Sequence, residues 1–146
     1  MTILNLNNHP KVTTAVGTFT KMDELVGLVK YNGRTDVTLE ELIDFLGKIY
    51  ILMENKPFYL INDLIYNYGG FSNEIWKYLA NDKIFNTQII RSIVVSNHLG
   101  MRIQLNFFVK ILKPKFKVTM VKSIEKAFEL AENLKNRSNS NRVLML

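Results

Sequence analysis

Blocks of apolar residues with two different spacings divide the chain into predicted strands and helices. The segments VTTAVGTFTKM (12–22) and ELVGLVKYN (24–32) are rich in β-branched and aliphatic residues and are therefore predicted to be strands. The polar pair Asp23–Glu24 marks their junction, which predicts an antiparallel hairpin, and Asn32–Gly33 then interrupts the chain.

The segment TLEELIDFLGKIYILMEN (38–55) has apolar residues at helical spacing. Thr38 and Glu41 have the spacing of a capping box, which predicts that a helix begins there. Pro57 prevents the helix from continuing, because proline lacks the backbone N–H that a helix interior requires. The short apolar run FYLINDLI (58–65) then predicts a buried parallel strand.

The rest of the chain repeats this alternation. A helix capped by Ser72 is followed by a strand at 88–97, an apolar helix that ends before Pro114, a strand at 116–121 and a helix at 123–136. The order β-β-α-β-α-β-α-β-α predicts a single-domain α/β fold. We expect a sheet of about five strands, an antiparallel hairpin followed by parallel β-α units, with helices packed on it. The predicted organisation is an N-terminal segment (1–11), the domain (12–136) and a C-terminal tail (137–146) that frays.

Charge is distributed unevenly along the chain. Residues 1–90 contain 8 Lys/Arg and 10 Asp/Glu, whereas residues 91–146 contain 11 Lys/Arg and only 3 Glu. Such an asymmetry favours an acidic partner, which means nucleic acid, an anionic membrane surface or an acidic protein face. A solvated lysine-rich surface without a partner is the alternative.

Recognisable catalytic and metal-binding patterns are absent from the sequence. The chain has no cysteine, two histidines, and no phosphate-binding, dinucleotide-binding or GxSxG motif. Asp63 ends a predicted strand, where it would serve as a base or as a hydrogen-bond anchor. We therefore expect a non-enzymatic protein without metal or cofactor. Because the first ten residues lack a signal-peptide pattern, the expected location is the cytoplasm.

Three stretches resemble a known family. They are LINDLIYNYGGFSNE (60–74), SNHLGMRIQLNFFVKILKPKFKV (96–118) and SIEKAFELAENL (123–134). Together with the predicted element order they resemble the STAS domain of anti-sigma-factor antagonists, and more closely the small stand-alone bacterial proteins related to CRAL-TRIO domains. Asp63 matches the strand aspartate and Ser72 the first residue of the family's hydroxyl pair. Asn73 stands where the phosphorylated hydroxyl would be, and Phe71 replaces an aspartate.

This resemblance implies a regulatory or scaffold module that acts through protein–protein contact. The implied contact surface is the loop and helix after the aspartate-bearing strand. Its candidate residues are Asp63, Tyr66, Tyr68, Phe71, Ser72, Asn73 and Trp76. The aromatic residues could instead fold back as a lid on the core. The alternative function is a carrier of a small apolar ligand or lipid, which requires a cavity between the sheet and the 99–112 helix.

The 99–112 helix is more apolar than a sheet-covering helix needs to be. Its residues Arg102, Asn106 and Lys110, together with Lys113 directly after it, fall within an arc of about 80°, and the remainder is apolar except for Gln104. A neighbouring helix, a second subunit, a lipid or an anionic membrane surface is expected to cover the excess. We predict that Phe107 and Phe108 face the core, which disfavours nucleic-acid binding. A basic patch accompanies the helix: Arg102, Lys110, Lys113, Lys115 and Lys117.

Assembly is predicted from the same apolar excess. A homodimer would cover the helix, and the apolar end of the chain at 143–146 would either join two subunits or dock on its own domain. Burying one such side chain contributes roughly 1.5–3 kcal/mol, enough to offset the cost of ordering a short segment.

Overall fold

The computed structural model describes residues 8–65 and 71–144, with side chains described through residue 139. The described strands are β1 (Lys11–Thr13), β2 (Gly17–Lys21), β3 (Val26–Tyr31), β4 (Phe58–Asp63), β5 (Ile89–Val95) and β6 (Lys117–Val121). The α-helices are α1 (Leu39–Leu52), α2 (Asn73–Asn81), α3 (Lys83–Gln88), α4 (Leu99–Phe107) and α5 (Ile124–Leu144). A π-helical turn (Phe108–Leu112) follows α4 directly.

The six strands form one mixed sheet in their chain order. Strand β2 is antiparallel to both β1 and β3, whereas β3, β4, β5 and β6 are parallel to one another. The predicted α/β class, with an antiparallel hairpin followed by parallel β-α units, is confirmed.

The sheet has one strand more than predicted, because the first predicted strand (12–22) folds as two. Between β1 and β2 the N–H of Thr14 donates to the carbonyl of Gly17 at 2.9 Å. The N–H of Val16 donates to the Thr14 hydroxyl at 3.1 Å. This turn reverses the chain inside a run of β-branched residues, and Nδ2 of Asn32 also donates to its Ala15 carbonyl at 3.1 Å.

The helices cover both faces of the sheet. From β3 to β6, each strand lies beside the preceding one, always on the same side of it. Right-handed crossovers between these parallel strands therefore place α1 to α4 on one face of the sheet, here called the four-helix face. Strand residues Val29 and Leu60 pack there with α1, α2 and α3. On the opposite side, the α5 face, Leu28 and Ile61 pack against Ala127 and Ala131 of α5. No helix in the described ranges is long and apolar enough to cross a membrane.

The predicted helix starts are confirmed by their caps. The Thr38 hydroxyl accepts from the N–H of Glu41 at 3.1 Å, and the Glu41 carboxylate accepts from the N–H of Thr38 at 3.0 Å. Ser72 accepts from the N–H of Ile75 at the start of α2.

Helix α5 differs from the sequence prediction at its C-terminal end. It continues past the predicted boundary at residue 136 to Leu144, so residues 137–144 belong to a helix rather than to a frayed tail. The predicted docking of residues 143–146 concerns side chains outside the described part of the chain.

The prediction that both Phe107 and Phe108 face the core is wrong for Phe107. Phe108 is 3% exposed, but Phe107 is 46% exposed. Consecutive residues of an α-helix point about 100° apart, and in this segment the turn is oriented so that Phe108 faces inward and Phe107 faces outward. Phe108 occupies the inner position, with its ring between those of Trp76 and Phe116.

Gly27 of β3 provides a first test of the packing on the four-helix face. A Cβ atom at this position would lie 2.2 Å and 2.4 Å from two ring atoms of Phe19, whose side chain is fully buried. We expect Gly27→Ala to lower the free energy of unfolding by about 1–3 kcal/mol, because a packed ring must move. Urea denaturation measures this loss of stability. In a Phe19→Leu background, adding Gly27→Ala should lower the free energy of unfolding by less. An equal loss in both backgrounds would contradict the contact.

Candidate functional site

A cavity of about 70 Å³ lies between the four-helix face of the sheet and the helices that cover it. The strands contribute Val29, Leu60, Asn62, Ser92, Val94 and Val118 to its walls. The helices and the π-helical turn contribute apolar side chains that include Phe45, Ile49, Trp76, Leu105 and Phe108. Because protein interiors are normally close-packed, a space of this size beneath four α-helices is a distinct feature of the fold.

The sheet side of the cavity has a line of three hydrogen-bonded polar side chains, here called the polar ladder. Tyr31 of β3 donates its hydroxyl to Oδ1 of Asn62 on β4 at 3.0 Å. Asn62 in turn donates Nδ2 to Oγ of Ser92 on β5 at 3.0 Å. Asn62 and Ser92 are both buried. The ladder thus places polar atoms in a largely apolar wall while keeping them hydrogen-bonded to one another.

All three groups of the ladder are neutral. Burial raises the pKa of the Tyr31 hydroxyl well above its usual range, because the phenolate would be poorly solvated there. Tyr31 therefore remains a hydroxyl donor across the physiological pH range. A polar group inside the cavity can therefore form hydrogen bonds with neutral side chains of this wall, for example by accepting the hydroxyl proton of Ser92.

A chain of aromatic rings closes the helix side of the cavity. The ring of Phe71 stacks edge-on against Tyr31 at a centroid distance of 5.5 Å and against Trp76 at 5.7 Å. Trp76 continues to Phe108 at 5.1 Å, and Phe108 to Phe116 at 6.0 Å. These distances lie in the range in which aromatic pairs attract one another.

An ion pair holds the loop before α1 in place beside the cavity. Arg34, which contributes to the cavity lining, donates to both carboxylate oxygens of Glu41 at 2.6 and 3.0 Å. The hydrogen bonds from Arg34 lower the pKa of Glu41 from 4.5 to about 2, and the backbone N–H of Thr38 contributes to the same shift. Because Glu41 already neutralises it, Arg34 does not present a free positive charge to the cavity.

The residues proposed for partner contact are divided between the cavity and the surface. Phe71 and Trp76 are partly buried and pack against the core, whereas Ser72 and Asn73 are exposed at the start of α2. Asp63 accepts from the N–H of Ile65 at 3.3 Å and thereby holds the turn after β4. The predictions for Tyr66 and Tyr68 fall outside the described residues.

The five residues of the basic patch lie on a surface separate from the cavity. Arg102, Lys110, Lys113, Lys115 and Lys117 are all exposed along α4, the π-helical turn and the start of β6. The backbone N–H of Lys115 donates to Oδ1 of Asn86 at 2.8 Å, which ties this segment to α3.

Sequence reasoning missed the polar ladder, although a signal for it was present. Asn62 interrupts the apolar run of β4, and Ser92 interrupts that of β5. A polar residue inside a buried strand needs a hydrogen-bond partner, so two of them on adjacent strands suggest a mutual contact.

In chemical terms, the site combines apolar walls with one neutral polar edge. Among the residues that the structure describes, no group of His, Cys, Asp or Glu is arranged to hold a metal ion. Neither the models of known protein families, nor the curated proteins, nor the solved structures provide a match to this chain.

Proposed function

We propose that this chain is a non-catalytic binding module for a small, neutral, mostly apolar molecule with one hydrogen-bonding group. The observation that carries the proposal is the cavity between the sheet and helices α1 to α4, lined by aliphatic and aromatic side chains. Ligand sites in proteins typically combine such walls with a few placed polar groups. The polar ladder would meet the ligand's polar end, and the rings of Trp76 and Phe108 its apolar body.

The size of the cavity limits the ligand. An engineered cavity of roughly 150 Å³ in another protein binds benzene, and the present cavity, of about 70 Å³, has half that volume. A ligand with more than a few carbon atoms would need the rings of Phe71 or Trp76 to move outward. Since both rings are only partly buried, this end of the cavity is the natural entrance.

Straight-chain alcohols are suitable probes because each has one hydroxyl and an apolar chain of adjustable length. Trp76 is the only tryptophan in the chain and lines the cavity, so its fluorescence reports on binding. We expect saturable changes in Trp76 emission for the alcohol series from ethanol to octanol. The affinity should rise with chain length and then fall when the cavity is filled.

Two neighbouring valines of β5 provide a matched pair of variants. Val94 lines the cavity, whereas Val95 packs on the α5 face. Val94→Leu adds a methylene group to the cavity and is expected to weaken alcohol binding about tenfold, with unchanged or higher stability. Val95→Leu adds the same group to a closely packed site and should cost about 1–3 kcal/mol of stability without weakening binding.

The two variants also define the result that opposes the proposal. If Val94→Leu and Val95→Leu destabilise the protein equally and neither alters the response of Trp76, the space at Val94 does not accept ligands.

A second candidate function is protein–protein contact through the start of α2, in keeping with the STAS resemblance. The observation that favours it is the exposure of Ser72, Asn73 and Glu74 directly beside Phe71 and Trp76. A ligand that displaces these rings would alter the adjacent surface, so a partner could respond to cavity occupancy. Affinity capture with wild type and Ser72→Asp, with Ser138→Asp on α5 as control, tests this function. A set of captured proteins that is the same for all three chains would exclude this surface.

A further inference from the structure

The outer side of α4 and the π-helical turn has an apolar row that the described residues of the domain leave exposed. Its members recur four residues apart and are between 46% and 71% exposed: Leu99, Ile103, Phe107 and Ile111, here called the outer row. The inner positions Met101, Leu105 and Phe108 already cover the sheet and the cavity. The outer row therefore contributes little to the packing of the domain.

The surroundings of the outer row are positively charged. Arg102 and Lys110 lie on the same helical segment, and Lys113, Lys115 and Lys117 follow it; all five side chains are exposed. None of the ion pairs between described residues involves any of them. Between Asp82 and Glu125 the sequence contains no acidic residue at all.

From this arrangement we propose that the outer row docks on the surface of an anionic lipid bilayer. A helix that presents aliphatic and aromatic side chains flanked by lysine and arginine has the pattern of a segment lying in the membrane interface. The outer row would enter the boundary between headgroups and acyl chains. The basic patch would meet the lipid phosphates and carboxylates.

Charge complementarity selects the bilayer over a second copy of the chain. In a two-fold symmetric dimer through the outer row, each copy would present the same basic surface to the other. Like charges brought together in this way oppose association. The row also forms a ridge on the outside of a helix, and a fluid bilayer can adapt to a ridge without a preformed groove.

Cosedimentation with vesicles tests the proposal. Wild type is expected to bind vesicles of a roughly three-to-one mixture of phosphatidylcholine and phosphatidylserine, and to bind pure phosphatidylcholine at least tenfold more weakly. Added salt should weaken binding to the mixed vesicles, because it screens the lysine–lipid attraction.

Paired variants separate the apolar from the electrostatic contribution. The double variant Ile103→Gln/Phe107→Gln is expected to lose at least tenfold in binding to the mixed vesicles. Its control is Ile43→Gln/Ile51→Gln, which changes two exposed apolar residues of α1 and should bind like wild type. Lys110→Gln/Lys113→Gln should also weaken binding, whereas the exposed pair Lys48→Gln/Lys56→Gln should not. All four variants change exposed side chains, and circular dichroism verifies that each is folded.

Three results would overturn the proposal. The first is that wild type does not bind the mixed vesicles. The second is that the outer-row variant binds as well as its α1 control, which would reduce the effect to nonspecific attraction of a basic protein. The third is a dimer in lipid-free sedimentation that Ile103→Gln/Phe107→Gln abolishes, since a second copy would then cover the row.

Discussion

Replacing Phe108 by alanine is expected to lower the free energy of unfolding by about 3–5 kcal/mol and, at the same time, to strengthen the binding of longer alcohols. Phe108 is buried, and its ring contacts both Trp76 and Phe116 over the cavity. Removing the ring eliminates these contacts and enlarges the space beneath α4.

Phe107→Ala is the matched control, because it removes the same side chain from the exposed side of the same helical segment. Phe107→Ala should lower the free energy of unfolding by no more than about 1 kcal/mol, and it should bind the alcohols with the affinities of wild type. Denaturant unfolding and Trp76 fluorescence measure the two quantities on the same samples. Weaker binding of every alcohol by folded Phe108→Ala would contradict the assignment of the cavity as the binding site.

The second large effect is expected at Asn62, the centre of the polar ladder. Asn62→Leu deprives the Tyr31 hydroxyl and Ser92 Oγ of their shared partner in a buried wall. An unsatisfied buried polar group costs about 1–3 kcal/mol, so we expect a total loss of about 2–4 kcal/mol. The variant should keep its preference for an alcohol over the alkane of equal length, because the hydroxyls of Tyr31 and Ser92 remain on the wall and are left without their partner.

The triple variant Tyr31→Phe/Asn62→Leu/Ser92→Ala separates the two roles of the ladder. With all three polar groups removed, no partner is left unsatisfied, and most of the stability lost in Asn62→Leu should return. The preference for alcohols should be lost in the triple variant, because it alone leaves no hydrogen-bonding side chain of the ladder on that wall. If the triple variant is instead less stable than Asn62→Leu, by the summed stability losses of Tyr31→Phe and Ser92→Ala measured alone, the three residues do not act as one network.

The architecture was largely predictable because its signals are local. The capping box of Thr38 and Glu41 and the apolar run of β4 specify their elements without reference to the rest of the chain. The turn between β1 and β2 was missed because it lies inside a run of β-branched residues. The extension of α5 was missed because a polar segment carries no apolar period to reveal a helix.

The cavity could not be predicted in the same way, because it is a property of packing between distant segments. Residues Val29, Leu60 and Leu105 look like ordinary core residues in the sequence, and nothing in their spacing indicates that space remains between them. The polar ladder joins residues about thirty positions apart, so only the parallel register brings them together. The apolar excess of the 99–112 helix was visible in the sequence, but its division into an inner and an outer row required the fold.

The most direct measurement of the central claim is a methyl NMR titration with propanol, whose three carbon atoms require no outward movement of Phe71 or Trp76. Val94 and Leu105 report on the cavity, and Val95 and Ile61 report on the opposite face of the same sheet. The expected result is saturable chemical-shift changes, with nuclear Overhauser effects from the alcohol, at Val94 and Leu105 but not at Val95 and Ile61. Saturable changes of equal size on both faces, or none at Val94 and Leu105, would show that the cavity between the sheet and its helices is not a ligand site.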